Sequence, residues 1–219
     1  MKLKDLYGAS AGKAAFSRRI EQLSAQYEKL TGKKPECFYS SSGRAEICGN
    51  HTDHNHGKVL VAAISCDVLA AVGKTDDGTI TVHSLGFPPF SLNIADLAVN
   101  KEEYGKSVAL ARGVVKGFKD RGYAVGGFTA VTESTIFRGA GVSSSAAFEL
   151  LMAEILNDLY CGGRVGKVEK AIVSQYAENE YFGKPCGLLD QSGISLGGIN
   201  EIDFKDPESP EIRSLAAPE

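Results

Sequence analysis

An α+β fold is expected from three observations on this 219-residue chain. Apolar residues recur at helical spacing in several stretches. Short aliphatic and β-branched runs stand between them. The two kinds of segment do not alternate strictly, as a doubly wound parallel sheet would require, so a mixed sheet packed with helices is the expected architecture.

The elements follow in order. From Ser10 to about Thr31, Phe16, Ile20, Leu23, Tyr27 and Leu30 recur at alternating four- and three-residue steps, one apolar helix face that Gly32 stops. "CFYS" at 37–40 reads as a short strand entering a histidine-rich loop, and "KVLVAAI" and "CDVLAAVG" as two further strands. In "TDDGTITVHS" Asp77-Gly78 is a hairpin turn with an alternating strand after it. Ser107 to about Arg121 is a helix with Val108, Ala111, Val114, Val115 and Phe118 on one face. "GGFTAVTES" is a strand. A Gly-rich turn then runs into a third helix, which carries Leu150, Leu151, Ile155, Leu156 and Leu159 and ends at Gly162. Val165 to about Phe182 is a fourth helix, and "GGINEIDF" closes as a strand. The tail, 206–219, is Pro-rich and charged like a linker, which points to a further domain beyond it.

Composition narrows the function classes. The chain is 43% hydrophobic and 23% charged, with net charge -3. No basic stripe suggests a nucleic-acid partner. No run approaches the roughly 18 to 20 apolar residues of a membrane span, and "MKLKDLYGAS" lacks the apolar core of a signal peptide. Cys37, Cys48, Cys66, Cys161 and Cys186 show no CxxC spacing. Reduced thiols in a cytoplasmic protein fit that pattern better than a disulfide framework.

Three stretches carry chemistry. "GAGVSSSAA", Gly139 to Ala147, puts small residues and three serines where a helix begins. Free N–H groups and the helix dipole suit phosphate oxygens there, although no Gly-Lys-Ser/Thr makes it a Walker A loop. A well-capped helix after a tight turn is the other reading. In "GKPCGLLDQSGISLGG", Asp190 follows Leu188 and Leu189. It is either a cap or turn carboxylate or a functional one, and on the residues alone the cap is the simpler reading. In "SSGRAEICGNHTDHNHGK", Arg44 lies in a Ser-Ser-Gly-Arg turn before a loop dense in Asn, His and Asp. That loop could grip a polar ligand, be merely solvated, or hold a metal through His51, Asp53 and His56. A closed zinc site needs four ligands, and His83 is the only histidine outside this loop.

Taken together and in this order, the three stretches resemble the galactokinase branch of the GHMP small-molecule kinases. The usual opening motif, Gly-Arg-Val-Asn-Leu-Ile-Gly-Glu-His-Thr-Asp-Tyr-Asn, stands here as Gly43-Arg44-Ala45-Glu46-Ile47-Cys48-Gly49-Asn50-His51-Thr52-Asp53-His54-Asn55. The Gly-Gly-Gly-Leu-Ser-Ser-Ser-Ala loop appears as Gly139-Ala140-Gly141-Val142-Ser143-Ser144-Ser145-Ala146. Cys-Gly-Ile-Met-Asp-Gln appears as Cys186-Gly187-Leu188-Leu189-Asp190-Gln191.

The resemblance implies a GHMP-kinase N-terminal domain over 1–205, of the ribosomal protein S5 domain 2-like type, with 206–219 leading toward a C-terminal domain. It implies a sugar kinase acting on the anomeric hydroxyl with ATP and Mg2+. Asp190 would be the base, with Arg44 beside it to steady charge on the transferred phosphoryl group. Arg44, Asn50, His51, Asp53, Gly187 and Asp190 would bind the sugar. Gly139, Ala140, Gly141, Ser143, Ser144 and Ser145 would cradle the ATP phosphates, and Ser145 with Glu178 would hold the magnesium.

This chain departs from the motif at Asn50, where the family has glutamate, at Glu46 for asparagine, and at His54 for tyrosine. Phe137 and Arg138 stand where Pro-Leu precedes the Gly loop. These departures put the sugar's identity in question and motivate an alternative, a catalytically silent sugar or ATP sensor on the same fold.

Overall fold

The structure is a computed structural model describing residues 14–137, 139–206 and 208–216. The start of the first expected helix at Ser10, Arg138, and the outermost part of the tail lie outside the described residues. Among the described residues the strands form one mixed seven-stranded sheet in the order β4-β3-β5-β2-β6-β7, with β1 along β2.

The centre of the sheet is β2, Lys58–Thr75. It was expected as two strands and is one. Its first half pairs antiparallel with β6 (Ile199–Asp203) and its second half with β5 (Gly127–Ser134). Its other edge carries β1 (Cys37–Cys48). Residues 68, 70 and 72 face one core and 69 and 71 the other, so the strand is covered on both sides and reads as a continuous apolar run.

Helix α1 (Ala14–Thr31) covers one face through Phe16, Leu23 and Tyr27. On the other lie α2 (Ser107–Asp120), α3 (Ser144–Cys161), α4 (Lys167–Tyr176) and α5 (Leu189–Leu196). Phe118, Phe128, Leu151 and Ile155 are fully buried between sheet and helices. Removing each from water contributes about 1.5–3 kcal/mol.

Several sequence expectations are corrected here. Asp77-Gly78 is a turn but not a hairpin, because β3 (Thr79–Ser84) pairs with β4 (Phe90–Asn93) and, in parallel, with β5, which separates it from β2. Asp77 Oδ1 accepts from Thr79 N–H and Thr75 Oγ1, both at 2.9 Å, so the turn is closed by its own side chain and leaves β3 free to pair elsewhere. Arg44 stands not in a turn but in β1, which continues through a bulge between Ser42 and Arg44. The expected helix from Val165 to Phe182 is α4 followed by a π-helical turn, Ala177–Phe182. Part of the linker-like tail is a strand, β7 (Glu211–Leu215), antiparallel to β6.

The π-helical turn owes its position to α2. A Cβ on Gly113 would lie 2.6 Å from Ala177 Cβ and 2.7 Å from its Cα, so only glycine lets the two backbones meet. Among the described residues no helix is long and apolar enough to cross a membrane.

Candidate active site

The β1 bulge and the first turn of α5 bring Arg44 and Asp190 together. Arg44 Nε and Nη2 donate to Asp190 Oδ1 at 2.7 and 2.5 Å, while Nη1 donates to the Gly141 carbonyl. Ser143 Oγ donates to the other carboxylate oxygen, Oδ2. Arg44 is buried and its whole fork is occupied. Charge-assisted contacts of this kind are short and directional. Asp190 keeps partial solvent access, its side chain 22% exposed. Its place in the first turn of α5 puts the carboxylate at the positive end of the helix dipole.

The Gly-Ser loop lies over this pair. Ser143 caps α3 in the left-handed conformation, φ 59°. Behind it, Ser145 Oγ donates to Glu178 Oε1 at 2.9 Å, and Glu178 is 1% exposed at the start of the π-helical turn. Gln191 Nε2 reaches Glu178 Oε2 at 2.8 Å and Glu149 Oε2 at 3.2 Å, linking the residue after Asp190 to two buried carboxyl groups. Lys184 Nζ lies 3.4 Å from Glu178 Oε1. Burial holds the Glu149 carboxyl well above the ordinary carboxylate range, and the charge of Glu178 adds to the effect.

The histidine loop closes the third side. Asp53 is buried, and its Oδ2 accepts the Leu189 N–H at 2.9 Å. A Cβ on Gly187 would fall 1.9 Å from that same oxygen, so glycine is required for the approach. The loop is strained: Asn50, His51 and His56 have φ of 53°, 55° and 59°. With Ser143 they are the only non-glycine residues of positive φ among the described residues, and of the four His51 and Ser143 line one cavity. Each such residue costs of order 1–3 kcal/mol and persists where its surroundings fix it.

Arg44, His51, Gly139, Gly141, Ser143, Ser144, Ser145 and Asp190 line one cavity of about 330 Å3, joined by Phe137 and Lys184. A larger groove of about 1060 Å3 runs along β1 past Ser40 and Tyr39 and excludes the Arg44–Asp190 pair. The structure thus gathers most of the expected site residues. Ala140, Asn50, Asp53, Gly187 and Glu178 do not line the cavity, and Asp53 turns its carboxylate into the protein.

Comparison with known proteins bears on this geometry. The galactokinase galactose-binding signature matches residues 25–74, and the GHMP kinases N terminal domain matches residues 109–198. The galactokinase of Streptomyces coelicolor is 37% identical over 192 residues, 87% of this chain and 49% of that protein. This chain belongs to the galactokinase family of GHMP kinases.

The galactokinase of Clostridium tetani is 34% identical over 180 residues, covering 81% of this chain and 45% of its own length. The crystal structure of Lactococcus lactis galactokinase complexed with galactose superposes with a TM-score of 0.80 at 26% identity, over 90% of this chain and 52% of that one. The chain therefore spans about half the length of the galactokinases it matches.

The residues present fit the Mg2+ that the family resemblance led us to expect. Ser145 and Glu178 offer two hard oxygens side by side. Mg2+ commonly takes one or two protein oxygens and completes its shell with water and substrate phosphates. Among the described residues no group of three or more His, Cys, Asp and Glu could hold a metal, the histidine loop included. His51 and His54 side chains are 59% exposed and fan apart, His51 over Glu46 and His54 toward Asp53.

Sequence reasoning missed Glu149, Lys184 and the Asp190 contact of Ser143. Glu149 lies among apolar helix residues with no motif of its own. Lys184 belongs to a loop whose course depends on the π-helical turn, which the sequence did not announce.

Proposed function

We propose that the intact protein is an ATP-dependent kinase of galactose or a closely related sugar that phosphorylates the anomeric (C1) hydroxyl. The observation that carries this reading is the Arg44–Asp190 pair, set at the mouth of the Gly-Ser loop and inside the same cavity as His51.

In this reading the sugar sits between the histidine loop and the first turn of α5. Asn50, His51, Asp53 and Gly187 form its hydrogen-bonding wall, Asp53 and Gly187 largely by fixing the shape of that wall. Asp190 takes the proton from the anomeric hydroxyl through Oδ2, once the Ser143 hydroxyl turns away to a phosphate oxygen. Arg44 holds Oδ1 fixed, so the free oxygen has one orientation. Its guanidinium also lies where negative charge spreads during transfer. The backbone N–H groups of 141–145 and the α3 dipole receive the ATP phosphates. Mg2+, held by Ser145 and Glu178, would neutralise phosphate charge there. Lys184 adds an exposed cation at the same corner. Phosphoryl transfer needs little covalent participation from protein, so one base within a fixed field is enough.

The test is a coupled ADP-release assay on the full-length protein with ATP, magnesium and a panel of hexoses and pentoses, wild type beside Asp190→Ala. Sugar-dependent turnover that the variant loses supports the kinase. Silence with every sugar, together with measurable sugar or ATP binding, overturns it in favour of the sensor that the Asn50 departure suggests.

A further inference from the structure

The histidine loop holds two consecutive non-glycine residues, Asn50 and His51, in left-handed backbone. Asn and His enter that region more readily than most residues, but two in succession need a neighbour to hold them. The neighbour is Glu46, five residues before His51 and in β1. Its Oε1 accepts the His51 backbone N–H at 2.8 Å, and its Oε2 lies 3.5 Å from His51 Nε2. One carboxylate therefore accepts from the backbone of His51 and stands close to the ring of the same residue.

The surroundings give Glu46 this task. Its side chain is only 13% exposed while the His51 side chain above it is 59% exposed. The bulge between Glu46 and Cys48 turns the end of β1 toward the loop. A Cβ on Gly49 would come within 3.0 Å of Glu46 Oε1, so the chain passes close over the carboxylate. His51 in turn lines the cavity that contains Arg44 and Asp190.

We propose that Glu46 is the positioning residue of the substrate wall. By accepting the N–H of His51, with the imidazole close beside it, it fixes the left-handed turn 50–51 and sets which face His51 presents to the ligand. Both Glu46 oxygens face His51 and the side chain is 13% exposed, so Glu46 acts through His51 and does not touch substrate. This rests on the kinase reading for its substrate, but the hold on His51 belongs to the fold alone.

The experiment compares full-length wild type, Glu46→Gln and Glu46→Ala by amide hydrogen exchange and by steady-state kinetics with the sugar that the panel identifies. Glu46→Ala should raise exchange at His51 about tenfold or more, while amides in the middle of β2 keep their protection. The sugar KM should rise about tenfold with kcat changed less than twofold and the ATP KM unchanged, the pattern of lost ground-state binding. Glu46→Gln keeps an acceptor for the N–H and should restore most of the His51 protection. Unchanged His51 exchange in Glu46→Ala, or a fall in kcat with the sugar KM untouched, overturns the proposal. The exchange result stands even if no sugar is turned over, so failure of this inference and failure of the kinase reading are told apart.

Discussion

The Asp53 carboxylate meets the Leu189 N–H at 2.9 Å, joining the histidine loop to the first turn of the helix that carries Asp190. The two segments are 136 residues apart in sequence, and this buried contact sets how far the loop stands from Asp190. Asp53 therefore has a structural task whatever it offers a ligand.

Asp53→Ala should reveal that task. It leaves a buried N–H without its acceptor, at a cost of about 1–3 kcal/mol. For a domain of this size that corresponds to a fall in Tm of roughly 2–12 °C. Gly187→Ala attacks the same contact from the other side, since its methyl would overlap Asp53 Oδ2. Both variants should raise the sugar KM more than the ATP KM. Differential scanning fluorimetry with kinetics checks this, and an unchanged Tm in both variants would show that the contact does not hold the loop.

Arg44→Lys separates charge from shape. Lysine keeps the positive charge, but its single ammonium cannot reproduce a planar fork that grips Asp190 Oδ1 and the Gly141 carbonyl together. A loss of roughly 100-fold or more in kcat is expected, since the field around the reacting oxygen would be displaced. Near-wild-type turnover in Arg44→Lys would mean that a point charge suffices there.

Glu149 gives the site a pH signature. Burial raises its carboxyl in the folded state above the value of the unfolded chain. Below the unfolded value both states hold the proton and nothing is lost. Between the unfolded and folded values only the native state keeps it, so this group's contribution to stability falls as pH rises. Among the described residues, Glu149 Oε1 and Gln191 Oε1 are buried without hydrogen-bond partners, and a proton on Glu149 gives that cluster another donor. Glu149→Gln should therefore gain stability over wild type progressively as pH rises above about 4.3, the ordinary value of an unfolded glutamate, read by urea unfolding at each pH. A difference that does not change with pH would remove Glu149 from this role.

Much of the architecture was legible because core faces repeat at regular spacing. Phe16, Leu23 and Tyr27 announced α1, and Val114, Val115 and Phe118 announced α2; all six are buried. The pairing of β3 was not legible, since Asp77-Gly78 is a sound turn whether or not its flanking strands pair with each other. The break of the fourth helix was hidden for another reason. It depends on Gly113 of α2 admitting Ala177, a contact between distant residues that no local pattern displays. At the site, Arg44, Asp190 and Ser145 were expected from the ordered motifs and Glu178 from the family resemblance, and the structure places Ser145 beside Glu178 and Arg44 beside Asp190. The inward turn of Asp53 and the hold of Glu46 on His51 were not, because residue type says what a carboxylate can accept and not which donor arrives.

Cys186 offers a check on the depth of the same corner. It begins the stretch that leads to Asp190, its N–H donates to Asn179 Oδ1 at 2.7 Å, and its sulfur lies 3.5 Å from Glu178 Oε2. Burial, and then the Glu178 charge, push the thiol far above its ordinary range, so almost none of it is thiolate near neutral pH. Cys48, at the end of β1, is exposed. Because the thiolate is the nucleophile, iodoacetamide at pH 8 should alkylate Cys48 and leave Cys186 intact until the protein unfolds. Peptide mass mapping over a time course reads both sites at once. Equal native rates would show that solvent and base reach Cys186. The acid corner formed by Glu149, Glu178 and Gln191 would then be open to water, and the expected gain of Glu149→Gln would disappear with it.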